Sequence, residues 1–212
     1  MIFSLAPKRL TMLTSIALLS LALMASAVRA DGPPLPDSKQ ISKAAAESCG
    51  VKLKRLEEFA AGSSRSKKQT TEFSENEINS YLALELSKNY HPSLKNLVIV
   101  VEESKLQGVA SIDFDSLAMN SKTFLTKLMT KMFSGVHTLA VRGKLLTAEG
   151  KARFELEEAH FDDSALPNFL VEEIISAVGR KQKPPFDPMQ PSKLPYGIQS
   201  VELHPGRALV HQ

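Results

Sequence analysis

A chain of 212 residues, 43% hydrophobic and 23% charged, is long enough to bury a substantial core in one domain. Its single cysteine, Cys49, excludes an internal disulfide and zinc sites of the C-x-x-C type. The formal charge of +3 comes from Lys8, Arg9 and Arg29; without them basic and acidic residues balance. A nucleic-acid partner, which needs a sustained phosphate-neutralising surface, is therefore not expected.

Residues 1–30 read as a secretory signal peptide. Lys8 and Arg9 precede an apolar run over residues 10–23, and small residues follow at Ala25, Ala27 and Ala30. Cleavage is expected near Ala27 or Ala30, leaving a periplasmic or extracellular protein. An uncleaved anchor is the alternative, but the run is shorter than the roughly 20 residues a spanning helix needs. Residues 31–37 form a flexible Pro-rich segment, 38–68 an N-terminal helix with a basic loop, and 69–212 an α+β domain.

The first helix is expected over residues 38–61, with Ser38 as a cap and Ile41, Ala45, Cys49, Leu53, Leu56 and Ala60 on its apolar face. Cys49 reads there as a half-buried small hydrophobe. Gly50 weakens the helix by about 1 kcal/mol relative to alanine. Residues 70–73 read as a short strand. Ser74 and Glu77 then make an S-x-x-E capping box ahead of Ile78, Tyr81, Leu82, Glu85 and Leu86, an apolar stripe broken only at Glu85. Pro92 ends that pattern.

Strands are expected over residues 97–103 and 105–115. The second alternates, with Leu106, Gly108, Ala110, Ile112 and Phe114 inward and Gln107, Val109, Ser111, Asp113 and Asp115 outward, as in an antiparallel sheet wet on one side. Residues 122–133 return to helical spacing. Residues 136–148 and 151–161 form a hairpin through Glu149 and Gly150. Its second arm slips phase between Leu156 and Ala159, which predicts a bulge near Glu157 and Glu158 and hence a bent sheet. Pro167 opens a helix that runs to Val178, with Gly179 as its stop. A proline-rich connection over 181–195 leads to a final hairpin, 198–204 and 207–211. The expected fold is α+β: a curved antiparallel sheet of about six strands wrapped around or packed on helices.

No G-x-S-x-G, P-loop, G-x-G-x-x-G or H-E-x-x-H pattern occurs, and the histidines at 91, 137, 160, 204 and 211 lack metal-ligand spacing. Two pairs are compatible with acid–base chemistry. Asp113 and Asp115 on one strand face would lie about 6 to 7 Å apart, near the separation some glycosidases use; Glu158 and His160 also share a face. Such patterns belong far more often to an ordinary wet strand face, and no catalytic residue, cofactor or metal is assigned. Tyr81, Leu82, Phe124, Leu128, Met132, Phe169, Leu170 and Ile174 either fill the core or line an elongated apolar cavity, which flexible and aromatic side chains suit. The basic residues Lys52, Lys54, Arg55, Arg65, Lys67 and Lys68 either meet anionic headgroups, at about 1 kcal/mol each, or form a solvated face.

Four stretches in order resemble exported bacterial lipid-binding proteins of the LmeA-like and YpmS-like kind, which are similar to TULIP domains. They are the F-S-E-N-E-I-N segment at residues 73–79, the strand–turn–strand at 142–161, L-P-N-F-L at 166–170, and L-P-Y-G-I-Q-S-V at 194–201. The resemblance implies a curved sheet around a long helix, an apolar ligand between them and no catalysis. The expectation is a non-enzymatic carrier of a lipid or other apolar molecule, with an anionic membrane surface as a further contact. The alternative is a structural or assembly protein of the cell envelope with a filled core and a protein partner.

Overall fold

The computed structural model describes residues 41–62, 68–117, 134–162, 164–183 and 185–212. The signal-peptide stretch, the Pro-rich segment, Ser38, and the helix expected over 122–133 with Phe124, Leu128 and Met132 lie outside them, as do Arg65 and Lys67. Helix α1 (Lys43–Ala61) begins at Ser42, whose hydroxyl accepts from the Ala45 N–H at 3.1 Å. Strand β1 (Thr70–Ser74) runs into α2 (Glu75–Tyr81), followed by a π-turn (Leu82–Leu86) and a 3₁₀ turn (Ser87–Asn89). Strands β2 (Leu94–Glu102) and β3 (Lys105–Asp113) lead to a single turn, α3 (Phe114–Leu117). Then come β4 (Val136–Ala148), β5 (Lys151–Phe161), β6 (Ser164–Ala165), α4 (Asn168–Lys181), β7 (Ser192–Lys193), β8 (Ser200–His204) and β9 (Arg207–His211).

The fold is α+β, with an open, six-stranded antiparallel sheet in the order β2-β3-β4-β5-β6, β7 pairing with the other end of β5. A second sheet of three strands, β1-β9-β8, stands beside it. The terminal hairpin is as expected; its capture of β1, with Thr70 opposite His211, unites residues 141 apart in sequence and creates the smaller sheet. The two sheets meet at hydrogen bonds from Ser104 N to Leu203 O and from Gly206 N to Val101 O.

The bend in the large sheet is where the phase slip places it. Arg142 pairs with Glu158 and Gly143 with Leu156, so Glu157 is the extra residue of a bulge. Its carboxylate is held between Lys105 and Lys144, at 2.5 and 3.2 Å. Glu149 and Gly150 turn the β4–β5 hairpin with φ of 51° and 73°, both left-handed as a tight type I′ turn requires.

The inner sheet face carries Leu97, Ile99, Leu106, Ile112, Leu139, Phe154 and Phe161, all buried, and α4 contributes Val171, Ile174, Ile175 and Val178. The capped helix supplies Ile78, Leu82 and Leu86. Four residues overshoot an ideal α-turn by about 40°. Widening to a π-turn takes up that overshoot, keeping Leu86 buried and Glu85 exposed.

Three expectations are corrected. Strand β3 stops at Asp113, where Asp113 accepts from Ser116 and a helical turn begins, so Asp115 is not on the strand. On α1 the inward residues are Ala46, Cys49, Leu53 and Leu56, while Ala60 is exposed. Gly179 does not stop α4, which continues to Lys181. A Cβ on Gly179 would come within 2.6 Å of the Phe186 carbonyl oxygen and 3.1 Å of Pro188 Cδ, so glycine is needed there for the close return of the proline-rich connection.

Two glycine substitutions should therefore move stability in opposite directions. Gly179→Ala should destabilise by about 1 to 3 kcal/mol, because the obstacle is backbone. Gly50→Ala should stabilise by up to about 1 kcal/mol, since a Cβ there meets only Tyr81 Cε2, at an ordinary 3.5 Å. Urea unfolding of the two variants beside the parent checks both signs.

Candidate functional site

The site is an apolar pocket in the smaller half of the molecule. Leu53 and Leu56 of α1 form one wall; Phe73 of β1, Ile78 of α2, Val201 of β8 and Val210 of β9 form the floor. Leu194, Pro195, Tyr196 and Ile198, from the connection between β7 and β8, form the opposite wall. The empty volume is about 430 Å³ including its open mouth, whereas the space left for the centres of water molecules is about 30 Å³. The outer figure includes open solvent; the inner one is room for about two waters, so a guest must be slim and a wall must move to admit it.

Local structure explains why these side chains converge. Phe73 alternates inward on β1 between exposed Glu72 and the cap Ser74. The capping box is complete: Ser74 Oγ accepts from the Glu77 N–H at 3.2 Å, and Glu77 Oε2 accepts from the Ser74 N–H at 2.8 Å. This aims Ile78 beneath α1. Glu77, itself buried, also binds α1 through Ser48 Oγ at 2.5 Å and Lys52 Nζ at 2.7 Å. Burial pushes the Glu77 carboxyl up, but the bonds from Lys52, Ser48 and the Ser74 N–H, with the Lys52 charge, outweigh burial and hold it below the ordinary glutamate value.

The residues singled out from sequence have varied positions. Leu82 and Ile174 are fully enclosed against the large sheet, Leu170 and Tyr81 are half-buried, and Phe169 is exposed at the start of α4. None of these five lines the pocket. Among the basic residues, Lys52 is corrected from a free cation to the partner of buried Glu77, and Lys54 lies 3.6 Å from Glu58. Arg55 and Lys68 are exposed. Cys49 is fully rather than half buried; burial, aided by the nearby Glu77 charge and opposed by Lys52, pushes its thiol up to about 12.

The acid–base pairs are likewise placed. Asp113 binds Lys95 at 2.9 Å, and bonds from Lys95 and Ser116 hold its carboxyl well below the ordinary range. Asp115 accepts from the Gly135 N–H at 3.1 Å. Glu158 and His160 share the outer face of β5, where Glu158 lies 3.8 Å from Arg142. An acid–histidine pair that the spacing did not suggest is His137 with Asp162, at 2.8 Å. The other ring nitrogen of His137 faces the Ser134 carbonyl at 2.8 Å, so both nitrogens meet acceptors. The Asp162 bond raises the His137 pKa against partial burial, with help from Ser134. That environment favours the imidazolium, which has no lone pair to serve as a general base.

Among the described residues no cluster of three or more His, Cys, Asp or Glu side chains is arranged to hold a metal. No helix among them is long and apolar enough to cross a membrane. Comparison with protein-family models and with curated proteins finds no match.

The depressed Glu77 carboxyl makes a pH-dependent prediction. A group whose pKa is lower folded than unfolded adds stability above its unfolded value, about 4.3, and that stability is lost as pH falls through the folded value. Glu77→Gln should cost about 1 to 3 kcal/mol at pH 7, because it removes the counter-charge of a partly buried Lys52. The difference from the parent should shrink progressively below about pH 4. Denaturant unfolding at pH 7 and pH 3 measures it; a constant difference would contradict this account.

Proposed function

We propose that this is an exported, non-enzymatic protein that carries a lipid or other apolar molecule, with the guest's apolar end seated between α1 and the three-stranded sheet. The observation that carries this reading is the pocket itself, walled by aliphatic and aromatic side chains and open at its mouth. Export rests on the leader pattern of residues 1–30. The resemblance to LmeA-like and YpmS-like proteins supports the ligand class, and two of its stretches supply pocket residues: Phe73 and Ile78 from one, Leu194 to Val201 from the other. A non-catalytic role is supported by the salt bridges that engage two of the candidate acids, Asp113 with Lys95 and Glu158 with Arg142.

Binding would be driven by removal of apolar surface from water, about 0.8 kcal/mol for each methylene buried. Exposed Arg55 and Lys68 flank the segments that build the walls and suit an anionic headgroup or membrane surface. A second reading, an envelope assembly protein with a protein partner, is favoured by the exposed apolar side chains Phe169 and Val51, 61% and 59% accessible.

A series of saturated fatty acids competing with a fluorescent fatty acid separates these readings. For a carrier, affinity should rise about fourfold per added methylene until the pocket is full. Ile198→Trp, which fills the pocket, should lower the affinity for long members at least about tenfold. Affinity independent of chain length, or unchanged in the filled variant, would reject the carrier in favour of the scaffold.

A further inference from the structure

One wall of the pocket is not a regular element. Leu194, Pro195, Tyr196 and Ile198 form a strap anchored at both ends, by Leu194 N to Gly150 O at 2.7 Å and by Gln199 N to His211 O at 2.8 Å. Between the anchors the chain passes through two left-handed residues, Tyr196 at φ 54° and Gly197 at φ 67°. Glycine adopts that conformation freely, whereas a bulky aromatic residue is strained there and needs its surroundings to hold it.

Gln212 supplies that hold. Its Nε2 donates to the Tyr196 carbonyl at 2.5 Å and to the Leu56 carbonyl at 2.9 Å. Leu56 belongs to α1, so one amide group bridges the two walls of the pocket. Gln212 is itself fixed by Gln69, through a reciprocal pair of backbone bonds and a side-chain bond to Oε1 at 3.0 Å. A Cβ on Gly197 would meet nothing within 4 Å, so the crest of the strap has open space beside it.

Building on the carrier reading, we infer that residues 194–198 are a gate stapled shut by Gln212, and that the guest is one slim apolar chain admitted when this staple opens. Behind its open mouth the pocket is too narrow for a guest without movement. Its other walls are a helix of about five turns and a hydrogen-bonded sheet, so only the strap can yield. Displacement of a single irregular wall makes room beside α1 for one chain. The strained Tyr196 turn favours release of the strap and the Gln212 amide opposes it.

Stopped-flow binding of cis-parinaric acid, a single-chain fluorescent fatty acid, tests the gate. Gln212→Ala should raise its association rate constant about fivefold, the equivalent of one hydrogen bond removed from the closed strap. Gln69→Ala removes the bond to Oε1 but leaves both bonds made by Nε2, and should leave the rate within about twofold of the parent. Binding with equal rates in the parent and Gln212→Ala, or equal acceleration in both variants, overturns the gate while leaving the carrier reading standing. No binding of the probe by the parent overturns both.

Discussion

The free edge of β2 is the constraint around which the molecule is assembled. An edge strand exposes a row of backbone donors and acceptors that must find partners when buried. Here the helix entering from β1 covers them with side chains instead of another strand. Asn79 meets Ile99 twice, donating to its carbonyl at 2.6 Å and accepting from its N–H at 2.8 Å. Two residues along, Glu75 accepts from the Val101 N–H at 2.7 Å, and Gly206 donates to the Val101 carbonyl. Residues 73–79 thus close the large sheet, cap a helix and, through Glu77, bind α1.

That arrangement separates two kinds of interior. Behind β2 the six-stranded sheet meets α4 and the π-turn in a packed apolar layer, with Leu82, Val171, Ile174 and Val178 entirely enclosed. On the other side of the same short helix, α1 bridges to a sheet of only three strands. The polar contacts of Glu77 with Ser48 and Lys52 set the position of α1 at its middle, while the Gln212 bond reaches it farther along, at Leu56. Between these two ties the wall opposite α1 is a loop, whose four lining side chains cannot interlock as helix and sheet do. A pocket persists where regular packing has no second regular surface to meet.

Features written within a few residues were legible in the sequence. The Ser74–Glu77 box spans one helical turn, the Glu149–Gly150 turn needs two residues of the right type, and the Glu157 bulge appears as a phase slip within β5. Features set by distant partners were not. The pairing of β1 with β9, the acceptance of Lys52 by Glu77 and the approach of Phe186 to Gly179 depend on tertiary placement that periodicity does not encode. The candidate lining suffered the same way: Leu82 and Ile174 have the character of pocket residues but face the dense layer. The pocket takes one or two side chains from each of five helices and strands and four from the connecting loop, so no single helix or strand displays it. The available signal was the proline–glycine stretch at 194–201, too irregular for a core strand yet carrying Leu194, Ile198 and Val201 inward.

The same logic bears on why Glu77 is charged at all. A carboxylate that is largely buried pays a desolvation penalty that a hydrophobic residue would avoid, and buried ion pairs are weak devices for stability alone. What an apolar replacement lacks is direction. One Glu77 oxygen reaches the cap at Ser74 and the two together reach Ser48 and Lys52, so the carboxylate fixes α1 in rotation and along its axis relative to α2. Rotation of α1 by one residue would carry Leu53 and Leu56 off the pocket and expose their neighbours to it. The buried charge therefore acts on the site through geometry, holding the rigid wall so that any adjustment falls on the loop opposite.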